Sequence, residues 1–173
     1  CNNNDVNSYM QKLSNQLMLL DSKTEVSIAN SLWHNKRYNI LESFISSMKT
    51  SYNADVFQLG TNAEDEINDW CSDKTHGYIN DLLPQGSITP STAAVLLNAL
   101  YFKGEWADKF DKKDTERGFF YSIDNSLPTV YYMTGRKKIE YVTAETFTMA
   151  SLSFGNGAYA ARFLLPNKDK TFD

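Results

Sequence analysis

Cysteine and histidine are nearly absent: the 173 residues contain two of each, Cys1, Cys71, His34 and His76. None falls at a C-x-x-C, H-x-x-x-H or H-E-x-x-H spacing, so no metal site is expected and no cofactor is implied. Two cysteines so far apart, one of them the first residue, cannot make a disulfide framework, and the fold must be held by its core. Hydrolase signatures are missing as well. There is no G-x-S-x-G elbow and no S-x-x-K with its supporting motifs, so an enzyme is not expected. Gly155-Asn156-Gly157 lacks the third glycine of a dinucleotide fingerprint and reads as a hairpin turn. No apolar run approaches the roughly 18 residues of a membrane span. With 17 Lys plus Arg against 21 Asp plus Glu, a net charge of −4, there is no electrostatic footprint for nucleic acid. Arg136-Lys137-Lys138 could attract a polyanion, but three charges between strand-like segments are expected to form a solvated turn.

What is present is an aromatic-rich globular composition. Hydrophobic residues make up 42%, with 10 Phe, 10 Tyr and 3 Trp, which argues against disorder and for one packed domain. Cys1, followed by Asn2-Asn3-Asn4, is a candidate lipid-attachment residue with a polar tether; an arbitrary fragment boundary explains the same start. The chain is therefore expected to be a fragment or a processed form, from an extracellular or cell-surface protein.

Val6, Tyr9, Met10, Leu13, Leu17 and Leu20 recur at helical spacing and predict a helix over 5–20 with one buried face. A strand is predicted over 25–34, a second helix over 39–52 with Leu41, Phe44, Ile45, Met48 and Tyr52 on one side, and a brief strand over 55–59. Thr61-Asn62-Ala63-Glu64 reads as a capping box opening a third helix over 61–74, with Thr75-His76-Gly77 as its stop. Only Ala63, Ile67, Trp70 and Cys71 form its apolar stripe, which suits a helix lying across the outside of a sheet. Residues 93–102 read Ala-Ala-Val-Leu-Leu-Asn-Ala-Leu-Tyr-Phe, a central strand expected to be covered on both faces. Asn98 would then be a buried amide needing partners elsewhere in the fold. Strands at 119–123, 129–133, 139–142, 150–154 and 159–165 follow. Early helices and late hairpins give an α+β class.

The order of these segments resembles the serpins, the serine-protease-inhibitor superfamily. The segments that carry it are Ser27-Ile28-Ala29-Asn30-Ser31-Leu32-Trp33, Ile67-Asn68-Asp69-Trp70 with Thr75-His76-Gly77-Tyr78-Ile79, Leu97-Asn98-Ala99-Leu100-Tyr101-Phe102-Lys103-Gly104-Glu105-Trp106, and Phe163-Leu164-Leu165-Pro166. The resemblance implies helices D, E and F over 5–20, 39–52 and 61–74, and strands 2 and 3 of sheet A over 25–34 and 93–104. The later strands would be parts of sheets B and C. Residues 1–173 would be the middle of a single serpin domain, incomplete because the N-terminal helices and the C-terminal reactive loop lie outside this chain.

The same resemblance implies a suicide substrate with a metastable fold, whose target serine or cysteine protease cleaves a reactive loop that then inserts into sheet A. It implies Asn98 in the central shutter, Trp106 at the breach where the loop enters, and Asn68 and Trp70 on helix F over the sheet. Partners would be the target protease and the remaining segments of the same serpin, with no nucleic acid and no membrane span. Two alternatives stand beside this: a non-inhibitory serpin acting as carrier, chaperone or storage protein, and an unrelated surface-lipoprotein binding domain. Lys12 is the only basic residue of the first predicted helix, so glycosaminoglycan activation through it is predicted to be absent. A large heparin acceleration of protease inhibition by the full-length protein, abolished in Lys12→Ala, would contradict this.

Overall fold

A computed structural model describes residues 3–168, so Cys1 and Asn2 lie outside the described residues, while Asn3 and Asn4, expected in a tether, open the first helix. Two compact units divide the chain, one ending at Lys103 and one starting at Gly104. In the first, α1 (Asn3–Leu19), β1 (Glu25–His34), α2 (Glu42–Tyr52), β2 (Ala54–Gln58), α3 (Ala63–Lys74) and β3 (Ala94–Lys103) follow in order. Its sheet has the order β2-β1-β3, with β1 parallel to β2 and antiparallel to β3. The second unit holds the ladder of β4 (Thr115–Phe119) with β5 (Thr129–Met133), and the meander β6 (Glu140–Thr143), β7 (Phe147–Phe154) and β8 (Tyr159–Pro166).

The core of the first unit forms where α3 lies on the sheet. Trp33 of β1, Ile67, Trp70 and Cys71 of α3, and Ala99 of β3 are buried together, flanked by Ala29, Val95 and Leu97. Ala29 pairs directly with Ala99, and these small side chains leave room for the α3 stripe. Trp33 also stacks on Phe57 of β2 at 4.2 Å between ring centroids. The thin apolar stripe expected for α3 is therefore its buried face.

Four expectations change. First, β3 is not covered on both faces by the described elements. Successive side chains of a strand point to opposite faces, and those out of phase with Ala99 stay open: Leu96 is 61% and Leu100 60% exposed. Asn98 lies on that open face and is exposed, not buried. Second, the capping box does not close: Asn62 is the N-cap and makes no side-chain capping bond. The buried Glu64 instead accepts from the backbone N–H groups of Ile88, at 2.9 Å, and Gly86, at 3.2 Å. Third, α3 ends at Lys74 as expected, but the first left-handed position of its stop is taken by a residue ahead of the glycine. His76 takes the left-handed conformation at φ 52°, its N–H reaching the Asp73 carbonyl, and Gly77 at φ 79° donates to Ser72, a Schellman closure with histidine at the first left-handed position. Fourth, the strand expected over 119–123 is shifted towards the N-terminus. Phe119 ends β4, and 120–123 are a loop in which the Ser122 N–H meets the Ser126 carbonyl. A Cβ at Gly118 would come to 3.0 Å from the Tyr132 ring, and the glycine leaves that aromatic room across the ladder.

The first two helices are also less buried than their stripes imply. Met10, Leu13 and Leu17 are half-buried while Val6, Tyr9 and Leu20 are exposed, and α2 has no buried residue. The hairpin read from Gly155-Asn156-Gly157 is present between β7 and β8, with Gly155 and Gly157 at positive φ and the Gly157 N–H bonded to the Phe154 carbonyl at 2.7 Å.

The Glu64 carboxyl is held below the ordinary carboxylate range, chiefly by the Ile88 N–H, then by its own amide and that of Gly86, against an opposing effect of burial. A folded-state value below the unfolded one means that this contribution to stability is complete above the usual glutamate value of about 4.3 and is lost as pH falls through the lowered one. Glu64→Gln keeps an acceptor and removes the titration. Its acid-unfolding curve, followed by circular dichroism, should lose pH dependence below about pH 4.3 relative to wild type.

Candidate functional site

Asn98 and Asn30 face each other across the β1–β3 ladder, in register as direct partners. Asn98 interrupts a largely apolar strand, while Asn30 lies in a strand that also carries Ser27 and Ser31. Asn98 Nδ2 donates to Asn30 Oδ1 at 2.9 Å and, more weakly, to the Ala29 carbonyl at 3.4 Å. Asn30 Nδ2 donates in turn to the Tyr52 carbonyl at the end of α2, at 2.8 Å. The partners that Asn98 was expected to need are found within this chain: Asn30, of the Ser27–Trp33 segment, supplies one. Nothing in the sequence singled Asn30 out, since β1 also carries Ser27 and Ser31; the register with β3 does.

Asn68 and Trp70 sit on α3, over the opposite face of the sheet. Asn68 Nδ2 donates to the Leu83 carbonyl and its Oδ1 accepts from the Leu83 N–H, both at 2.9 Å, a two-pronged clamp on the connection between α3 and β3. Trp70 buries its ring in the core and donates Nε1–H to Asp55 Oδ2 of β2 at 2.9 Å. Lys74 approaches the same carboxylate at 3.8 Å. At the helix end, the His76 ring lies 4.2 Å from that of Tyr101 on β3, and its Nε2 is 3.3 Å from Glu25 Oε1 at the start of β1. Polar contacts from α3 therefore reach all three strands or their connections.

Trp106 belongs to the second unit. It stacks on Phe154 at 4.4 Å, meets Phe110 edge-on at 6.2 Å, and is held by a bridge to Phe154. Lys137 lies beside this cluster, over the Phe110 ring at 4.8 Å, and donates to Asp108 Oδ1 at 2.7 Å. Only 14% of its side chain is exposed, so the Arg136-Lys137-Lys138 run does not present three free charges.

Neither a nucleophile with a base nor a metal cradle emerges from these surroundings. Among the described residues no group of three or more His, Cys, Asp and Glu side chains could hold a metal ion, and no helix is long and apolar enough to cross a membrane. The Cys71 thiol is buried and its pKa is raised by desolvation, which keeps it protonated. What the arrangement offers is a sheet with an asparagine pair on one face and a hydrogen-bonded helix on the other.

That architecture has a known owner. The family model described as "Serpin (serine protease inhibitor)" matches residues 1–173, and the chain belongs to the serpin family. It is 33% identical to Serpin-ZX of Arabidopsis thaliana over 83% of this chain and 39% of that protein. It is 36% identical to the leukocyte elastase inhibitor of Xenopus laevis over 79% of this chain and 38% of that one. Among solved structures, an Arabidopsis serpin in its native stressed conformation superposes with a TM-score of 0.82 at 28% identity, over 98% of this chain and 46% of that one. Emu ovalbumin superposes at 0.79 and 26% identity, over 91% of this chain and 42% of its own. The chain thus spans about two fifths of the curated relatives it matches, and the expected incomplete α+β serpin fold is what is seen. The family match sets aside the reading of an unrelated surface-lipoprotein domain.

If the Asn68 clamp fixes the connection to β3, Asn68→Ala leaves the Leu83 N–H and carbonyl without their partner. The full-length protein should lose about 2 kcal/mol of stability, measured by denaturant unfolding.

Proposed function

We propose that this chain is the middle part of a single serpin domain whose parent inhibits a serine or cysteine endopeptidase as a suicide substrate, by insertion of a reactive loop into the sheet beside β3. The observation that carries this reading is the serpin family match over residues 1–173, supported by the likeness to the leukocyte elastase inhibitor of Xenopus laevis. β3 is ten residues long and pairs with β1 along its whole length, and an added strand would take up the N–H and C=O groups of its other edge. By the family resemblance Asn98 would contribute to the central shutter, its amide oriented by the bond from its Nδ2 to Asn30 Oδ1 on the neighbouring strand. Asn68 and Trp70 would hold α3 over the sheet through bonds that water can replace while the sheet opens. Trp106 is assigned to the point of loop entry from its place in the motif that follows β3. The protein acted on would be a protease of the parent's surroundings, extracellular or at the cell surface.

A second reading is a non-inhibitory serpin, favoured by the likeness to emu ovalbumin and by a TM-score of 0.82 to thyroxine-binding globulin in complex with thyroxine. Incubating the full-length protein with a panel of serine and cysteine proteases separates the two. Inhibition by insertion should leave a covalent complex that survives denaturing electrophoresis. Cleavage by every protease in the panel without such a band would overturn the inhibitory reading and leave the other.

A further inference from the structure

The chain beyond α3 folds back on the helix end as a compact cap. The Tyr78 N–H meets the Thr75 carbonyl at 3.0 Å, and the buried Thr75 hydroxyl donates to the Cys71 carbonyl at 2.7 Å and accepts from the Ile79 N–H at 3.1 Å. Thr75, Tyr78 and Ile79 then line a cavity of about 380 Å³ together with residues 100–103 of β3. Successive strand residues point to opposite faces, and one edge of β3 is taken by β1, so consecutive residues share a cavity only along the other edge. The cap therefore overhangs the edge at which an added strand is proposed to pair.

One ionisable side chain ties this cap to the sheet. The His76 ring lies 4.2 Å from that of Tyr101, and its Nε2 is 3.3 Å from Glu25 Oε1. Glu25 and Tyr101 are in phase with Ala29 and Ala99, which places both on the face that carries α3. The charged groups around the imidazole are Glu25 of β1, its register partner Lys103 of β3, and Asp73 and Lys74 of α3, which pair with each other at 3.4 Å. The phenols of Tyr78 and Tyr101 are neutral. Protonating His76 adds three attractions at once: an ion pair with Glu25, a cationic ring against Tyr101, and a positive charge just beyond the C-terminal end of α3. Lys103, beside Glu25, opposes them only in part.

We infer that His76 is a pH-dependent clasp: as imidazolium it holds the end of α3 on Glu25 and keeps residues 75–79 over the other edge of β3, in the way of an entering strand. This deepens the reading above, on which it rests for what the clasp obstructs. Because the docked cap favours the charged imidazole, the hold is complete on the acid side of the histidine titration. It weakens as pH rises through that titration, between about pH 5 and 8.

The test is hydrogen exchange in peptides spanning 71–79 of the full-length protein, each variant compared with wild type at the same pH so that the pH dependence of chemical exchange cancels. At about pH 5.5, Glu25→Gln should speed exchange there about two- to fivefold, the range of an exposed ion pair. His76→Asn, a residue tolerated in the left-handed conformation, should do the same and gives a second route. The double variant should be no faster than either single one. At about pH 8 both ratios should shrink towards one. Ratios that do not change with pH, or effects that multiply in the double variant, would overturn the clasp. Thermal stability of the loop-cleaved protein separates this from the functional reading. No rise on cleavage sinks strand insertion, while the exchange ratios still decide the clasp.

Discussion

The register of β1 against β3 is the constraint on which the first unit depends. Ten residues pair in antiparallel order, from Glu25 opposite Lys103 to His34 opposite Ala94. Because side chains alternate faces along a strand, this register places Ala29 opposite Ala99 beneath α3 and Asn30 opposite Asn98 on the other side. A slip of one residue would drive Asn98 into the packing of Ile67 and Trp70 and turn Ala99 to the open face. The packing beneath α3 and the asparagine pair are therefore two consequences of one alignment.

The attachment of α3 follows from how little apolar surface it has to offer. Ala63, Ile67, Trp70 and Cys71 are a narrow stripe, and the helix gains the rest of its hold from directional bonds: Trp70 to Asp55, Asn68 to Leu83, and Glu64 to Ile88 and Gly86. Burial is non-directional and tolerates sliding, whereas these bonds specify one seat. They also exchange readily with water, so a helix pinned this way is well placed but not irreversibly docked. That combination fits a helix crossing a sheet into which an additional strand is proposed to pass.

Much of the fold could be read from periodicity and turn chemistry. The predicted strands at 25–34 and 129–133 coincide with β1 and β5, because alternating or branched apolar residues bounded by turn residues leave little choice. The failures have a common cause. Thr115-Glu116-Arg117-Gly118 has no apolar alternation, and it is strand β4 through its pairing with β5, Gly118 leaving room for the Tyr132 ring. Glu64 carries the letters of a capping box but finds the amides of Ile88 and Gly86, partners more than twenty residues away. The apolar run of β3, broken only by Asn98 before Lys103, suggests two covered faces, yet covering is a property of neighbours that a strand does not encode.

Asn98 shows the same division at the scale of one residue. That an asparagine in an apolar strand needs partners is chemistry fixed by the side chain, legible from residues 93–102 and enough, with the surrounding motifs, to point to the serpins. Which partner it takes, and with which end of its amide, depended on register, which sets Asn30 opposite it across 68 positions of chain, and on the α2 terminus that takes the other end of the Asn30 amide. The amino-acid sequence by itself determined the elements, their order and the polar breaks within them, since these follow from local propensity and side-chain chemistry. Tertiary structure alone decided which polar residues meet, which face stays open and which way each amide points, because those depend on long-range pairing that no local window contains.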